Sequence, residues 1–203
     1  LHIGGSHVQA DAFPNRVRRH LDSINGRLKP SRGLIFPYRA AKTNNPKNYK
    51  VCSQGEWQVS RNTKRERCAK LGVMGMAIST TDPTAEITVQ LNPDSTKRWF
   101  FTRLTLLGYG DSLAVPILIE EDESFRLPVR DEEMNTFTYE FSEPQDSFRL
   151  RIIQADSVPQ RFHLRGFLLE NEEDAIVYHS IGVNGASVPS YLSCEEVTEE
   201  MSL

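Results

Sequence analysis

The 203-residue chain has no run of 18 apolar residues, so no helix that crosses a bilayer is expected. Cysteine is scarce. Cys52, Cys68 and Cys194 make an odd set with no C-x-x-C pair, which excludes a disulfide framework. Two states remain open for them: a Cys52–Cys68 bridge between neighbouring strands in an oxidising compartment, or free buried thiols, the favoured reading. No methionine precedes Leu1 and no signal peptide is visible; such a start is expected of a chain whose leader, an export signal included, has been removed. His2 and His179 lack a third ligand at metal-site spacing, so no metal is expected. The acidic run Glu120-Glu121-Asp122-Glu123 lacks the spaced ligands and glycine of a calcium loop. A solvated turn is expected there.

What is present is an ordinary globular composition, 38% hydrophobic and 25% charged. That is enough for one large domain, or two small ones, with a real core. The net charge of -3 conceals an asymmetry. Residues 1–70 hold 15 Lys/Arg against 4 Asp/Glu, whereas residues 71–203 hold 9 against 23. Arg16, Arg18, Arg19, Arg27, Lys29 and Arg32 mark either a polyanion site or charge that is solvated or paired within the fold. No aromatic residues interleave with them, so nucleic acid is not an expected partner.

Three zones follow one another. Residues 1–32 read as a strand and then a helix. Phe13, Val17, Leu21 and Ile24 recur at helical spacing, with Arg16, Arg18, Arg19 and His20 mostly opposite. Asp11 is the expected N-cap, Pro14 lies in the first turn and Gly26 closes the helix.

Residues 33–171 switch from a period of 3.6 to a period of 2. Alternation runs through Ala85-Ile87-Val89-Leu91, Phe137-Tyr139-Phe141 and Phe148-Leu150-Ile152, and similarly through Val115-Ile117-Ile119, Met74-Met76-Ile78 and Phe162-Leu164. Expected turns are Thr81-Asp82-Pro83, Asn92-Pro93-Asp94, Gly108-Tyr109-Gly110-Asp111 and Glu143-Pro144. Seven to nine short strands so spaced predict an antiparallel sandwich or jelly roll.

Residues 172–203 return to strand and helix. Ala175-Ile176-Val177-Tyr178-His179 reads as a buried strand, and Val188, Tyr191, Cys194, Val197 and Met201 as a helical stripe capped by Ser187. Glu195, Glu196, Glu199 and Glu200 are expected to face water. The expected fold class is therefore a partial α/β layer, residues 1–32 plus 172–203, with a large antiparallel β-sandwich, 33–171, inserted into it. Two parallel strands and two helices cannot cover both faces of such a layer. The exposed edge predicts self-association.

The opening Leu1-His2-Ile3-Gly4-Gly5-Ser6-His7-Val8-Gln9 places a serine on a sharp strand-to-helix bend. There its hydroxyl is open and backbone N–H groups stand beside it, one way to build a nucleophile with half an oxyanion hole. Among the histidines, His7 adjoins Ser6 too closely in sequence to turn back on it easily. His179 ends the late strand and is expected as a structural residue, with a stand-in base as the alternative; His2, His20 and His163 carry no assigned chemistry. Trp57, Trp99 and Tyr109 are candidate sugar-stacking platforms, with core packing as the competing reading.

With these pieces in place the chain resembles the SGNH (GDSL-type) serine hydrolases. Gly4-Gly5-Ser6 is similar to their first block, Gly-Asp-Ser, and Ile181-Gly182-Val183-Asn184-Gly185-Ala186 to their second. The likeness to exported, sandwich-inserted members of Bacteroides-type bacteria extends over His2–Asp11, Gly33–Tyr38 with Ala41–Asn44, and Tyr178–Ala186. Similar peptidoglycan O-acetylesterases also insert a carbohydrate-binding-like sandwich between these blocks. The resemblance implies a flavodoxin-like α/β layer and a Ser6 nucleophile. It also implies an oxyanion held by the backbone N–H groups of Ser6 and Gly185, an acylated (O-acetylated) glycan substrate, no cofactor, and a periplasmic or extracellular location. Three family features are absent: Gly5 replaces the aspartate, and neither Gly-x-Asn-Asp nor Asp-x-x-His occurs. Without that last histidine the serine has no activating base. The chain alone is therefore expected to show little or no esterase activity. The alternative is an inactive truncated hydrolase that serves as a glycan-binding or scaffold protein.

Overall fold

In the computed structural model the described residues are 1–26, 28, 31–93, 99–110, 114–154, 159–172 and 175–203. Arg27, Lys29, Asp94 and Asp111, named above, lie outside them. The elements in chain order are β1 (His2–Gly4), α1 (Ser6–Gln9), α2 (Ala12–Ile24), β2 (Gly33–Ile35), β3 (Tyr49–Gln54), β4 (Gln58–Arg61), β5 (Met76–Thr80), β6 (Glu86–Leu91) and β7 (Phe101–Gly110). There follow β8 (Ala114–Ile119), β9 (Phe125–Arg126), β10 (Val129–Asp131), β11 (Thr136–Gln145), β12 (Ser147–Gln154), β13 (Phe162–Glu170), β14 (Ser180–Gly182), α3 (Val188–Leu192) and α4 (Val197–Glu200). The protein is β-rich, and no helix among the described residues is long and apolar enough to cross a membrane.

Two antiparallel sheets dominate. One is ordered β10-β11-β7-β13-β5-β4 with β2 also paired to β13, and the other β3-β6-β12-β8-β9. Alternation explains the packing: Ile87, Val89 and Leu91 of β6 and Phe148, Leu150 and Ile152 of β12 turn inward. Phe148 meets Phe167 and Phe101 edge-on at centroid distances of 4.9 and 5.9 Å, and the Tyr139 hydroxyl donates to Pro116 O at 2.9 Å. These contacts join the sheets face to face.

The structure corrects several expectations here. Residues 33–171 hold β2 to β13, twelve strands among the described residues, because short edge pieces such as β9 and β10 leave no alternation to read. Gly108 and Gly110 lie within β7, not in a turn. A Cβ on Gly108 would come within 2.5 Å of His163 O, and one on Gly110 within 2.7 Å of the Phe162 ring, so glycine there permits the close approach of β13. Glu143-Pro144 also falls inside a strand, where the β11–β7 register shifts between Glu140 and Gln145. Such an irregularity tolerates a residue with no N–H. Cys52 and Cys68 are free but exposed, and Cys194 is half-buried; Cys52 follows buried Val51 on β3 and so points outward.

The flanking zones differ more. β1 pairs in parallel with β14, His2 opposite Ser180 and Gly4 opposite Gly182. Strand structure starts at Ser180, not Ala175, because β1 offers partner positions only for Ser180–Gly182. The expected apolar face of α2 is turned partly outward: Phe13 is 59% and Ile24 62% exposed and Val17 and Leu21 are half-buried, while Asp11, Pro14, Arg18 and Asn25 are buried. Asp11 stands at the N-cap position but its side chain does not cap. Its carboxylate instead takes both Arg18 Nη atoms at 2.7 Å, Arg32 Nη2 at 3.2 Å and the Ser180 hydroxyl at 3.0 Å. Drawing Arg18 inside turns the helix over.

The late helical stripe is broken into α3 and α4, with Val188 and Met201 exposed. Glu200 does not face water. It is buried, accepts the Val73 N–H at 2.7 Å and pairs with Arg165 Nε of β13, since a buried guanidinium requires a counter-charge.

Candidate functional site

The serine bend is built by β1, which ends at Gly4 and hands over through Gly5 to α1, of which Ser6 is the first residue. A Cβ on Gly4 would meet Val8 Cγ2 at 2.5 Å, and one on Gly182 would meet Gln9 N at 2.1 Å. Only bare backbone at those two positions lets α1 lie across the strand pair. Val183 N–H extends the parallel ladder by donating to Gly4 O at 3.2 Å, and Ala186 N–H returns to Val183 O at 2.9 Å. Gly185 takes φ +79° in this bend, a conformation that favours glycine.

A Cβ built on Gly5 would lie 3.6 Å from Ala186 O and 4.0 Å from Val183 O. The turn that carries Ser6 therefore rests on the loop that carries Gly185. Both residues are exposed, and both follow the carboxyl ends of neighbouring parallel strands, where open α/β sheets bind ligands.

Several polar side chains secure this arrangement that the sequence did not single out. Tyr191 OH donates to Gly4 O at 2.9 Å and Tyr38 OH to Gly182 O at 2.8 Å. The Gln9 amide joins Thr43, Asn44 and Asn184. Gln9, Tyr38, Thr43 and Asn184 all lie in the stretches that carried the family resemblance, but their partners sit 34 to 175 positions away in the chain. That pairing has no sequence signature.

Below the bend lies the buried Asp11–Arg18–Arg32 cluster. Burial opposes ionisation of Asp11, yet Arg32 and Arg18, with Asn48, hold its carboxyl below the usual range. Burial and the neighbouring Arg18 charge push Arg32 down to about 10. Two of the basic residues considered for a polyanion surface, Arg18 and Arg32, are thus internal ion-pair partners. Arg16 and Arg19 are exposed on α2.

The histidines scatter. His7 is exposed beside Ser6, and His20 is exposed on α2. His163 is buried, bonded to Ser79 Oγ at 2.7 Å and stacked on Tyr109 at 4.4 Å. His2 Nδ1 lies 2.7 Å from Tyr178 OH. His179 precedes β14, at the opposite end of the parallel pair from Ser6. Its Nδ1 accepts the Leu34 N–H at 3.1 Å, which assigns the ring proton to Nε2. Burial first, then the amino terminus, Arg32 and Arg18, push it down to about 4. Its role is structural, and no side chain among the described residues hydrogen-bonds the Ser6 hydroxyl. No group of three or more potential metal ligands occurs among the described residues.

The candidate sugar platforms are not open rings. Trp57 is 9% and Trp99 4% exposed, both within the core. Trp57 Nε1 donates to Gln54 O, and Trp99 lies 5.6 Å from the Arg32 guanidinium. Tyr109 is half-buried between His163 and Arg165. Core packing accounts for the two tryptophans, and Tyr109 is held by its His163 and Arg165 neighbours. The acidic run forms a turn closed by Glu123 N–H to Glu120 O at 3.1 Å, with Glu123 paired to Arg149 and Glu120 to Arg126.

No protein-family model matches the chain, and no curated protein sequence matches it. Solved structures that match include two of very different similarity. The Agl-KA catalytic domain is 11% identical with a TM-score of 0.36, covering 75% of this chain and 31% of that one; a likeness so distant carries no argument. The structure described as "Peptidoglycan O-acetylesterase in action, 5 min" has a TM-score of 0.53 at 19% identity, over 95% of this chain and 49% of that one. The chain spans about half the length of that esterase structure, and its fold is similar to that half.

Proposed function

We propose that the chain is the nucleophile-bearing part of an SGNH-type serine esterase that removes acyl groups, O-acetyl groups in particular, from a glycan in the periplasm or outside the cell. The observation that carries this reading is the seating of the Ser6 bend on the Gly185 loop at the carboxyl ends of two parallel strands. Ser6 Oγ attacks the ester carbonyl. The backbone N–H groups of Ser6 and Gly185 receive the developing oxyanion, each contributing about 3 kcal/mol by analogy with side-chain oxyanion donors. The tetrahedral intermediate collapses with loss of the sugar alkoxide, which takes up a proton, and water then hydrolyses the acyl-serine.

The attacking hydroxyl needs a base, and none of the described histidines bonds to it. The reading assigns that base to further polypeptide packed on the outer edge of β1, which bears no strand among the described residues. Residues 1–32 and 172–203 then belong to a flavodoxin-like layer, with 33–171 as its insert.

A fluorophosphonate probe and p-nitrophenyl acetate test this. The 203-residue chain is expected to turn over negligibly. A longer chain that completes the layer is expected to hydrolyse the ester and to label stoichiometrically, with both lost in Ser6→Ala. Labelling that persists in Ser6→Ala would overturn the assignment.

A further inference from the structure

We propose that Gln9 is a positioning residue for this centre, its buried amide holding the 183–186 bend in register with the Ser6 turn. The inference rests on the esterase reading for its catalytic consequence, but its geometry stands apart from it. Gln9 is 1% exposed and lies one turn beyond Ser6 on α1, so a shift of either residue is carried to the other by the same helix. Three of its four hydrogen-bonding positions are engaged, both amide donors among them. Oε1 accepts the Asn184 N–H at 2.7 Å, and Nε2 donates to Thr43 Oγ1 at 3.1 Å and to Asn44 O at 2.9 Å. Asn184 Nδ2 closes the ring by donating to the same Thr43 Oγ1 at 3.2 Å.

The orientation of the amide is dictated by its partners. A backbone N–H can only donate and a backbone carbonyl can only accept, so oxygen faces Asn184 and nitrogen faces Asn44. Asn184 immediately precedes Gly185. The amide thus sets the peptide next to the one that carries the oxyanion donor, and it does so from the helix that carries the nucleophile. Gly182 strengthens the link, because α1 lies on its bare Cα, with Gln9 N 2.1 Å from where a Cβ would be. An error of about 1 Å between nucleophile and donor costs on the order of 100-fold in rate, so three bonds spent on this register have a catalytic reason.

Hydrogen exchange and kinetics test the proposal separately. In the 203-residue chain, Gln9→Met is expected to speed exchange of the Asn184 amide at least tenfold while amides of β6, β7 and β12 keep their protection. Gln9→Glu, which keeps an acceptor for Asn184 but loses the donors, is expected to retain Asn184 protection and to loosen the 43–44 side. Thr43→Val provides a milder cut in the same ring should Gln9→Met not fold, with Asn184 exchange again faster. In the longer, active esterase, Gln9→Met is expected to lower kcat about 10- to 100-fold with KM little changed.

Unchanged Asn184 exchange in Gln9→Met, or in Thr43→Val if that is the variant that folds, overturns the proposal. So does faster exchange with unchanged kcat. Turnover that does not depend on Ser6 would instead sink the esterase reading while leaving the exchange result standing.

Discussion

The sandwich and the β1–β14 pair share one core but differ in how much of their support is polar. Apart from the exposed Phe125–Val129 edge, the sandwich turns its large apolar side chains inward and needs little else. The strand pair has two strands of three residues each, and the apolar side chains on its outer side, Ile3, Phe13, Ile24 and Ile176, are 40–62% exposed. Ile181 and Val183 fasten one side of it to the common core, and polar groups fasten the rest: Asp11 with Arg18, Arg32 and Ser180, and His179 on the backbone of β2. Two antiparallel sheets that cover each other's dry faces are self-sufficient, whereas a parallel pair depends on what lies against it.

The largest test of this contrast removes the carboxylate at the junction. Asp11→Ala leaves two buried guanidinium groups without their counter-charge and is expected to cost about 3–5 kcal/mol. Urea titration read by exchange at β14 and at β6 should show the strand pair loosening first. Equal loss at both would merge the two regions into one cooperative unit.

The next effect is a pH dependence. His179 is neutral in the fold down to about pH 4, against an ordinary value of 6.5. As pH falls through that interval the unfolded chain takes up a proton that the folded chain refuses, so stability falls. About 2 kcal/mol is expected to be lost between pH 7 and pH 4, after allowance for the part of the ring that water reaches. The loss should level off below pH 4 and shrink in His179→Gln. A stability profile indifferent to His179→Gln would remove this residue from the junction.

The smallest stability effect comes from the outward face of α2. Phe13→Glu with Ile24→Lys should change unfolding free energy by less than about 0.5 kcal/mol each, since both side chains are exposed. Yet the pair should reduce the self-association proposed for the open layer, measured by light scattering. A wild-type chain that scatters as a monomer at all concentrations would break that link.

Period-2 alternation made the sandwich legible, because β6 and β12 each have one wet and one dry face. The bend at Ser6 was legible as local glycine-rich chemistry and the loop at Gly185 through the family resemblance, and the parallel pairing of their strands followed from strand–helix pieces at both ends of the chain. The face of α2 was not. Hydrophobic spacing there identifies a stripe but cannot tell that the opposite side carries Arg18 to a buried Asp11. Glu200 was missed for the same reason, its partner Arg165 being 35 positions away on β13. Trp57 and Trp99 are large aromatics that suit a sugar face or a core equally well until burial is known.

Alternation, turn residues and the two glycine bends are properties of neighbours in the chain, so the sequence alone determined a β-rich middle stretch framed by strand–helix pieces, with a serine at the first bend. Which polar groups go inside depended on partners brought from up to 175 positions away. A buried charge or amide is tolerable only beside its complement. Only the tertiary structure could therefore decide that Asp11, Arg18 and Gln9 face inward while Phe13 and Ile24 face out.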